Sequence, residues 1–318
     1  MSEVKKAATR DGLGQGLLEL GRSRQDVFVL AGDLAESTRA HLFQREFPER
    51  FLNMGIAEQD MLGTAVGLSL AGKIPFVCSF TVFVCGRGYD QIRISVCYNN
   101  QNVKIVGSHS GITVGSDGAT AQALEDIAMM RVLPNMTVLV PADAIEARKA
   151  TVAAAGVPGP VFLRLGRAAV PTITAEDDPF EVGQARVLRP GRDVTLVACG
   201  IMVNEALHAA QLLADDGVDA GVINVHTIKP LDVATLVQEV QATGAVVTAE
   251  EHQVHGGLGS AVAEVVTRHC PCYIDMVAVQ GVFGESGEAD ELREKYGLTY
   301  QHIREKALGL LKKKSARR

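Results

Sequence analysis

The sequence predicts an α/β protein of two doubly wound domains, each a mostly parallel sheet with helices on both faces. Three observations lead there. Short apolar strands alternate with helical stretches along the 318 residues, the rhythm of crossover units around buried parallel strands. Residues 173–192 interrupt that rhythm with Pro179, Pro190 and a run of acids, and read as a linker. The rhythm then restarts, which divides the chain into a domain at 1–172 and a domain at 193–318, in keeping with about two domains for this length.

In the first unit, residues 4–22 read as an amphipathic helix. Gly12, Gly14 and Gly16 lie inside it with no strand before them, so they do not form a dinucleotide loop. Residues 27–31 read as a buried strand ending at Gly32-Asp33, where a sheet's carboxyl edge presents ligands. A helix is predicted from Ala57 to Ala71. Gly63 and Gly67 lie four apart on it, small enough to let another helix approach closely, so a packed interface is expected. Residues 74–78 form the next strand, and Ser79-Phe-Thr-Val-Phe83 leads into a helix through Arg93. A strand at 103–107 runs into the glycine-rich loop 108–118. Helix 121–131, strand 137–140, helix 144–155 and strand 161–165 complete the unit. The second unit has strands at 194–198, 220–225, 245–249 and 273–279, with helices between them. Two charged helices follow, at about 288–296 and 299–313.

Composition narrows the class. Apolar residues make up 47% and charged residues 21%, ordinary for a soluble globular protein. No apolar run reaches the 18 or more residues of a membrane span. The start, Met1-Ser-Glu-Val-Lys-Lys6, has no apolar signal region. The cysteines at 78, 85, 97, 199, 270 and 272 form no C-x-x-C pair or zinc spacing and read as reduced thiols of a cytoplasmic protein. A basic tail at 312–318 could touch nucleic acid, but net charge is −6 and there is no basic stripe elsewhere. The tail reads as a solvated, frayed end.

The chemistry concentrates in Phe51-Leu-Asn-Met-Gly-Ile-Ala-Glu-Gln-Asp60. Gly55 permits a tight turn, and Glu58 falls in the first turn of the helix that follows. A carboxylate there can cap orphan N–H groups and suit the helix dipole. In apolar surroundings it can instead share a proton with a ligand nitrogen.

Gly55-Ile-Ala-Glu-Gln59 resembles the pyrimidine-binding motif of transketolases and their thiamine diphosphate relatives. The resemblance extends from Ala7-Ala-Thr-Arg10 to Phe283-Gly-Glu-Ser-Gly287 and Lys295-Tyr-Gly-Leu298, through Gly32-Asp33 and the loop ending Ser116-Asp-Gly118. It implies a pyrimidine-binding domain followed by a transketolase C-terminal domain, and thiamine diphosphate as cofactor. Glu58 would bond N1′ of the aminopyrimidine and favour the imino tautomer that deprotonates the thiazolium carbon. Phe80 and Phe83, otherwise plain core aromatics, would flank the pyrimidine ring. Asp33 would lie near the thiazolium. His109 would contact the sugar near its reacting carbonyl, and Asp117 would bond a hydroxyl. Arg10, Ser37 and Arg167 match phosphate-binding positions, where a guanidinium donates two parallel hydrogen bonds.

Two departures matter. Many transketolases carry histidine or glutamine three residues after the glycine matching Gly118, where this chain has Ala121. Standard pentose phosphate specificity is therefore in doubt. The family's Gly-Asp-Gly segment and later paired asparagines, which hold Mg²⁺ and the diphosphate, have no counterpart. Gly115-Ser-Asp-Gly118 and Asn99-Asn100 stand in the wrong order. The chain thus looks like the C-terminal subunit of a split transketolase, working in a heterotetramer with an N-terminal partner that holds the divalent cation. Two other readings are a beta subunit of a 2-oxoacid dehydrogenase, against which Gln59 and the sugar-type loop stand, and a non-catalytic regulatory subunit. In the second unit, Glu250-Glu-His252 could bind metal and Gly256-Gly-Leu-Gly259 could cradle phosphate; equally, the acids could cap the next helix. The resemblance gives this domain mainly a role in subunit contact.

Overall fold

The computed structural model describes residues 5–316. Its strands, in chain order, are β1 (Lys6–Ala8), β2 (Val27–Ala31), β3 (Phe51–Asn53), β4 (Ile74–Phe80), β5 (Lys104–Ser108), β6 (Thr137–Leu139), β7 (Val161–Arg164), β8 (Ala169–Pro171), β9 (Arg186–Arg189), β10 (Val194–Ala198), β11 (Ala220–Asn224), β12 (Thr227–Lys229), β13 (Ala245–Gln253) and β14 (Tyr273–Val279). One sheet runs β12-β6-β7-β5-β4-β2-β3 and is parallel except at β12. A second runs β14-β13-β10-β11-β9 and is parallel except at β9. Both are the doubly wound α/β arrangement that the alternating pattern predicts. Strands β4, β5, β7 and β10 are almost wholly buried, as strands covered on both faces must be.

Parallel pairing puts the carboxyl ends of β2, β4, β5 and β7 on one edge of the first sheet. Gly32-Asp33, Phe80, His109 and Arg167 lie at or just after those ends. The fold therefore gathers residues far apart in sequence at one rim.

Several elements differ from expectation, each for a local reason. The first helix begins at Thr9, because Lys6–Ala8 pairs antiparallel with β8; residue 4 lies outside the described residues. The helix expected over 121–131 starts only at Asp126, since Gln122 is spent tying the preceding loop. The helix after Phe80 breaks at Gly88, where a Cβ would lie 2.2 Å from Leu62, and continues as a π-helix over Ile92–Tyr98. Within 173–192, read as linker, β9 joins the second sheet. Strand β12, unforeseen, leaves the second unit and pairs with β6 of the first sheet. A buried apolar cluster joins the two units, running from Leu30 and Met61 to Val197, Ile223 and Leu258.

The other expectations meet mixed outcomes. Gly63 and Gly67 have no atom within 4 Å of a built Cβ, so their face is open in this chain. Lys312–Lys314 continue the last helix, and Lys314 donates to the carbonyls of Asp193 and Thr243, so this part of the tail is docked rather than frayed. Residues 317–318 lie outside the described residues. Glu250 accepts from the Leu258 and Gly259 amides, both at 2.7 Å, and caps helix Leu258–His269. Among the described residues no helix is long and apolar enough to cross a membrane.

Candidate functional site

Glu58 opens helix Glu58–Leu70 at the foot of a turn made by Gly55, whose φ of +68° suits glycine. The residue is 3% exposed. Its carboxylate is not left among apolar groups alone. Arg87 Nη1 donates to both oxygens at 3.1 Å, and Ser79 Oγ donates to Oε1 at 3.4 Å. Arg87 keeps an exposed side chain, stacks its guanidinium 4.1 Å from the Phe83 centroid, and accepts at its carbonyl from Gln59. In this chain an exposed cation thus sits against both oxygens of the Glu58 carboxylate. The sequence offers no signal for Arg87, because Gly86 and Gly88 obscure its helical spacing.

Phe80 links two parts of the rim. Its ring stacks on Phe83 at 5.6 Å and on the His109 imidazole at 3.8 Å. Both phenylalanines are only half-buried, and in this chain each ring is stacked on two neighbours, Phe80 on Phe83 and His109, Phe83 on Phe80 and Arg87. His109 has a φ of +57° and is buried. Arg10 Nη1 lies 3.2 Å from its Nε2, and Ser108 Oγ lies 2.9 Å from its Nδ1. A guanidinium can only donate, so Nε2 accepts and Nδ1 carries the proton. Burial, then the charges of Arg10, Arg167 and Arg39, push His109 down to about 3. The imidazole is neutral across the physiological range.

A cleft of about 210 Å³ lies beside it, lined among others by Arg10, Ser116, Arg167 and, from the C-terminal unit, Gly287 and Glu288. Arg10 Nη1 also donates to the Ser37 carbonyl, while its buried Nε has no partner. Arg167 donates to the Val114 carbonyl at 2.6 Å and to Asp117 at 3.3 Å. Two guanidiniums facing one cleft, one with an unspent donor, suit an anion. Ser37 meets Arg10 through its backbone rather than its hydroxyl. Asp33 stands apart at the end of β2, exposed, with its amide and carboxylate tied to Asn53. Ala121 is buried at 8% exposure, and neighbouring Gln122 turns inward to the carbonyls of Ile112, Gly115 and Glu285.

The site brings Glu58, Phe80, Phe83, His109, Arg10, Arg167 and Asp117 to one rim, as the fold of a pyrimidine-binding domain would. Residues 5–172 match the transketolase pyrimidine binding domain, and residues 183–303 match the transketolase C-terminal domain. The chain belongs to the transketolase family. It is 44% identical to a 6-deoxy-6-sulfo-D-fructose transketolase subunit of Clostridium sp. (strain MSTE9), over 92% of this chain and 91% of that one. It is 36% identical to an apulose-4-phosphate transketolase subunit of Phocaeicola vulgatus, over 96% and 98% of the two chains. Among solved structures it is similar to a split gene transketolase described as an inactive beta4 tetramer, with 49% identity, a TM-score of 0.90 and coverage of 96% and 98%.

Proposed function

We propose that this chain is the C-terminal subunit of a thiamine diphosphate-dependent transketolase that moves a two-carbon ketol unit from a ketose phosphate to an aldose phosphate. The observation that carries the reading is the continuous rim from Glu58 through Phe80 and His109 to the two-arginine cleft. It sets a buried carboxylate, flat apolar rings and an anion grip in one line.

The donor set fits one part of the cofactor. Glu58 would bond the aminopyrimidine once Arg87 swings aside, and Phe80 and Phe83 would cover its ring faces. When bound, thiamine diphosphate supplies the electron sink that lets a bond beside a carbonyl break. Glu58 Oε holds or returns the proton at the ring nitrogen. His109, neutral, would accept from a sugar hydroxyl at Nε2 in exchange for its present bond from Arg10, Asp117 would accept from a hydroxyl, and Arg10 and Arg167 would hold the sugar's anionic end, with Ser37 beside them. Asp33, at the end of β2, would lie near the thiazolium.

The diphosphate and its divalent cation need another donor set. Among the described residues no group of three or more His, Cys, Asp or Glu is placed to hold a metal. A partner chain with a diphosphate-binding domain would provide the oxygen ligands. We expect two copies of each chain, in the cytoplasm, with the open Gly63 and Gly67 face in the contact between chains.

The test is to co-purify the chain with such a partner, add cofactor and Mg²⁺, and screen phosphorylated and sulfonated ketose donors. Ketol transfer to an aldose phosphate supports the reading; CO₂ release from a 2-oxoacid without ketol transfer overturns it. Arg167→Ala should raise KM for phosphorylated sugars much more than for unphosphorylated ones. A lost hydrogen bond to a charged group costs roughly 1.5–3 kcal/mol, or about ten- to a hundredfold. Steady-state kinetics on paired donors check it, and equal effects would remove Arg167 from the anion grip.

A further inference from the structure

The C-terminal unit does more at this rim than line one side of a cleft. The loop from His109 to Gly118 has an unusual backbone. His109, Gly111, Gly115 and Gly118 all have positive φ, from +57° to +85°. A histidine in that region persists only where its surroundings hold it.

His109 is held by Arg10, Ser108 and Phe80, and the loop that follows it is held from β13. The Glu251 carboxylate reaches across to the loop and accepts from the Thr113 amide at 2.7 Å. A Cβ on Gly111 would fall 2.2 Å from its Cδ and 2.3 Å from each oxygen, so the carboxylate rests against the bare Cα. The Glu251 carbonyl accepts from Arg164 at 2.8 Å, and Arg164 pairs with Asp126 at 2.7 Å, just beyond the loop. One residue of the second unit therefore meets the loop and, through Arg164, the helix that follows it.

A second tie is independent of the first. Gln122 Nε2 donates to Ile112 and Gly115 within the loop and to the Glu285 carbonyl at 2.8 Å. Glu251 is 4% exposed, and burial raises its pKa against the opposing pull of Arg164 and the Thr113 amide. Burying a carboxylate is costly, and apolar packing would fill the same space with less penalty. The amide contact gives the charge a purpose that packing alone does not.

We propose that Glu251 is a positioning residue, through which the C-terminal domain fixes the loop that presents His109 and Asp117 to the sugar. What the loop contacts rests on the functional reading above; that the loop is held from this side does not.

The experiment has two arms, both on the full chain. In the first, amide hydrogen exchange is followed in Glu251→Ala and Glu251→Gln. Exchange at 110–118 should rise about tenfold or more in the alanine variant, with helix Glu58–Leu70 unchanged. Glutamine keeps an acceptor oxygen for Thr113 and should restore the slow rate. Unchanged exchange in the loop overturns the proposal, and so does a uniform rise across both units. Should Glu251→Ala not fold, Glu251→Asp, which draws the carboxylate back from the Thr113 amide, must give the same local rise; a loop as slow as wild type then overturns it. In the second arm, the chain is assembled with its diphosphate-binding partner. Glu251→Ala should raise KM for a phosphorylated donor about tenfold, with kcat and the Kd for thiamine diphosphate within about twofold of wild type. A faster loop with no change in KM would uphold the positioning and overturn the sugar contacts assigned to the loop.

Discussion

Glu58→Gln is expected to cut turnover of the assembled enzyme by about a hundredfold to ten-thousandfold, the range that a positioned proton-transfer group contributes. Glutamine matches the carboxylate in size and can still accept from Ser79 and Arg87, which now lie 3.4 and 3.1 Å from Glu58. The helix start, the turn at Gly55 and the packing of Met61 and Leu62 beneath it are untouched. The amide cannot share a proton with a ring nitrogen. The loss should therefore fall on kcat, with the melting temperature nearly constant and cofactor binding weakened only moderately. Rates on the complex with saturating cofactor, beside circular dichroism melting, check it. Wild-type turnover in a folded, loaded Gln variant would remove Glu58 from proton transfer.

The chain alone should show no ketol transfer and only weak binding of thiamine diphosphate. Two features combine to produce this. On the proposed reading the rim would offer one carboxylate and two aromatic rings to the pyrimidine, while among the described residues no group of three or more His, Cys, Asp or Glu is placed to hold a cation. The diphosphate carries most of the cofactor's charge, and its binding depends on a divalent cation held by oxygen ligands. In addition, Arg87 already bonds both oxygens of Glu58, so a cofactor bound as proposed would first have to displace that pair. Calorimetry with cofactor and Mg²⁺, with and without the partner, should show a gain of at least a hundredfold in affinity, about 2.7 kcal/mol or more. Tight binding and full turnover by the chain alone would refute the division of labour between two subunits.

Which parts are legible in the sequence follows from how far apart the interacting residues lie. Strands β2, β4, β5 and β10 carry short apolar stretches bounded by turn residues, and the sequence marks them without help from distant contacts. Glu58, Phe80 and His109 stand in short, characteristic stretches next to such strands, so they too can be read locally. Arg87 cannot: its partner lies 29 residues away, and Gly86 and Gly88 erase the helical spacing that would point it at Glu58. Glu251 is visible only as one acid of a pair. Its neighbour Glu250 caps a helix, while Glu251 faces a loop 138 residues earlier. Alternation along a strand sends adjacent side chains to opposite faces, but no local pattern says what waits on either face. Strand β12 escapes notice because three residues carry no periodicity, and its partner belongs to the other unit.

That strand bears on where the chain can be cut. With Thr227–Lys229 paired to β6, the outer rim of the first sheet is capped by residues that lie far beyond the end of the pyrimidine-binding domain. Cleavage after residue 172 would strip the cap and bare the backbone of Thr137–Leu139, a buried segment rich in β-forming side chains. Unpaired edges of this kind recruit strands from other molecules and promote aggregation. The first domain released by protease should accordingly precipitate or self-associate, even though each sheet has its own buried strands. Grafting a C-terminal unit from a relative would succeed only if the incoming piece brings a strand that fits this rim.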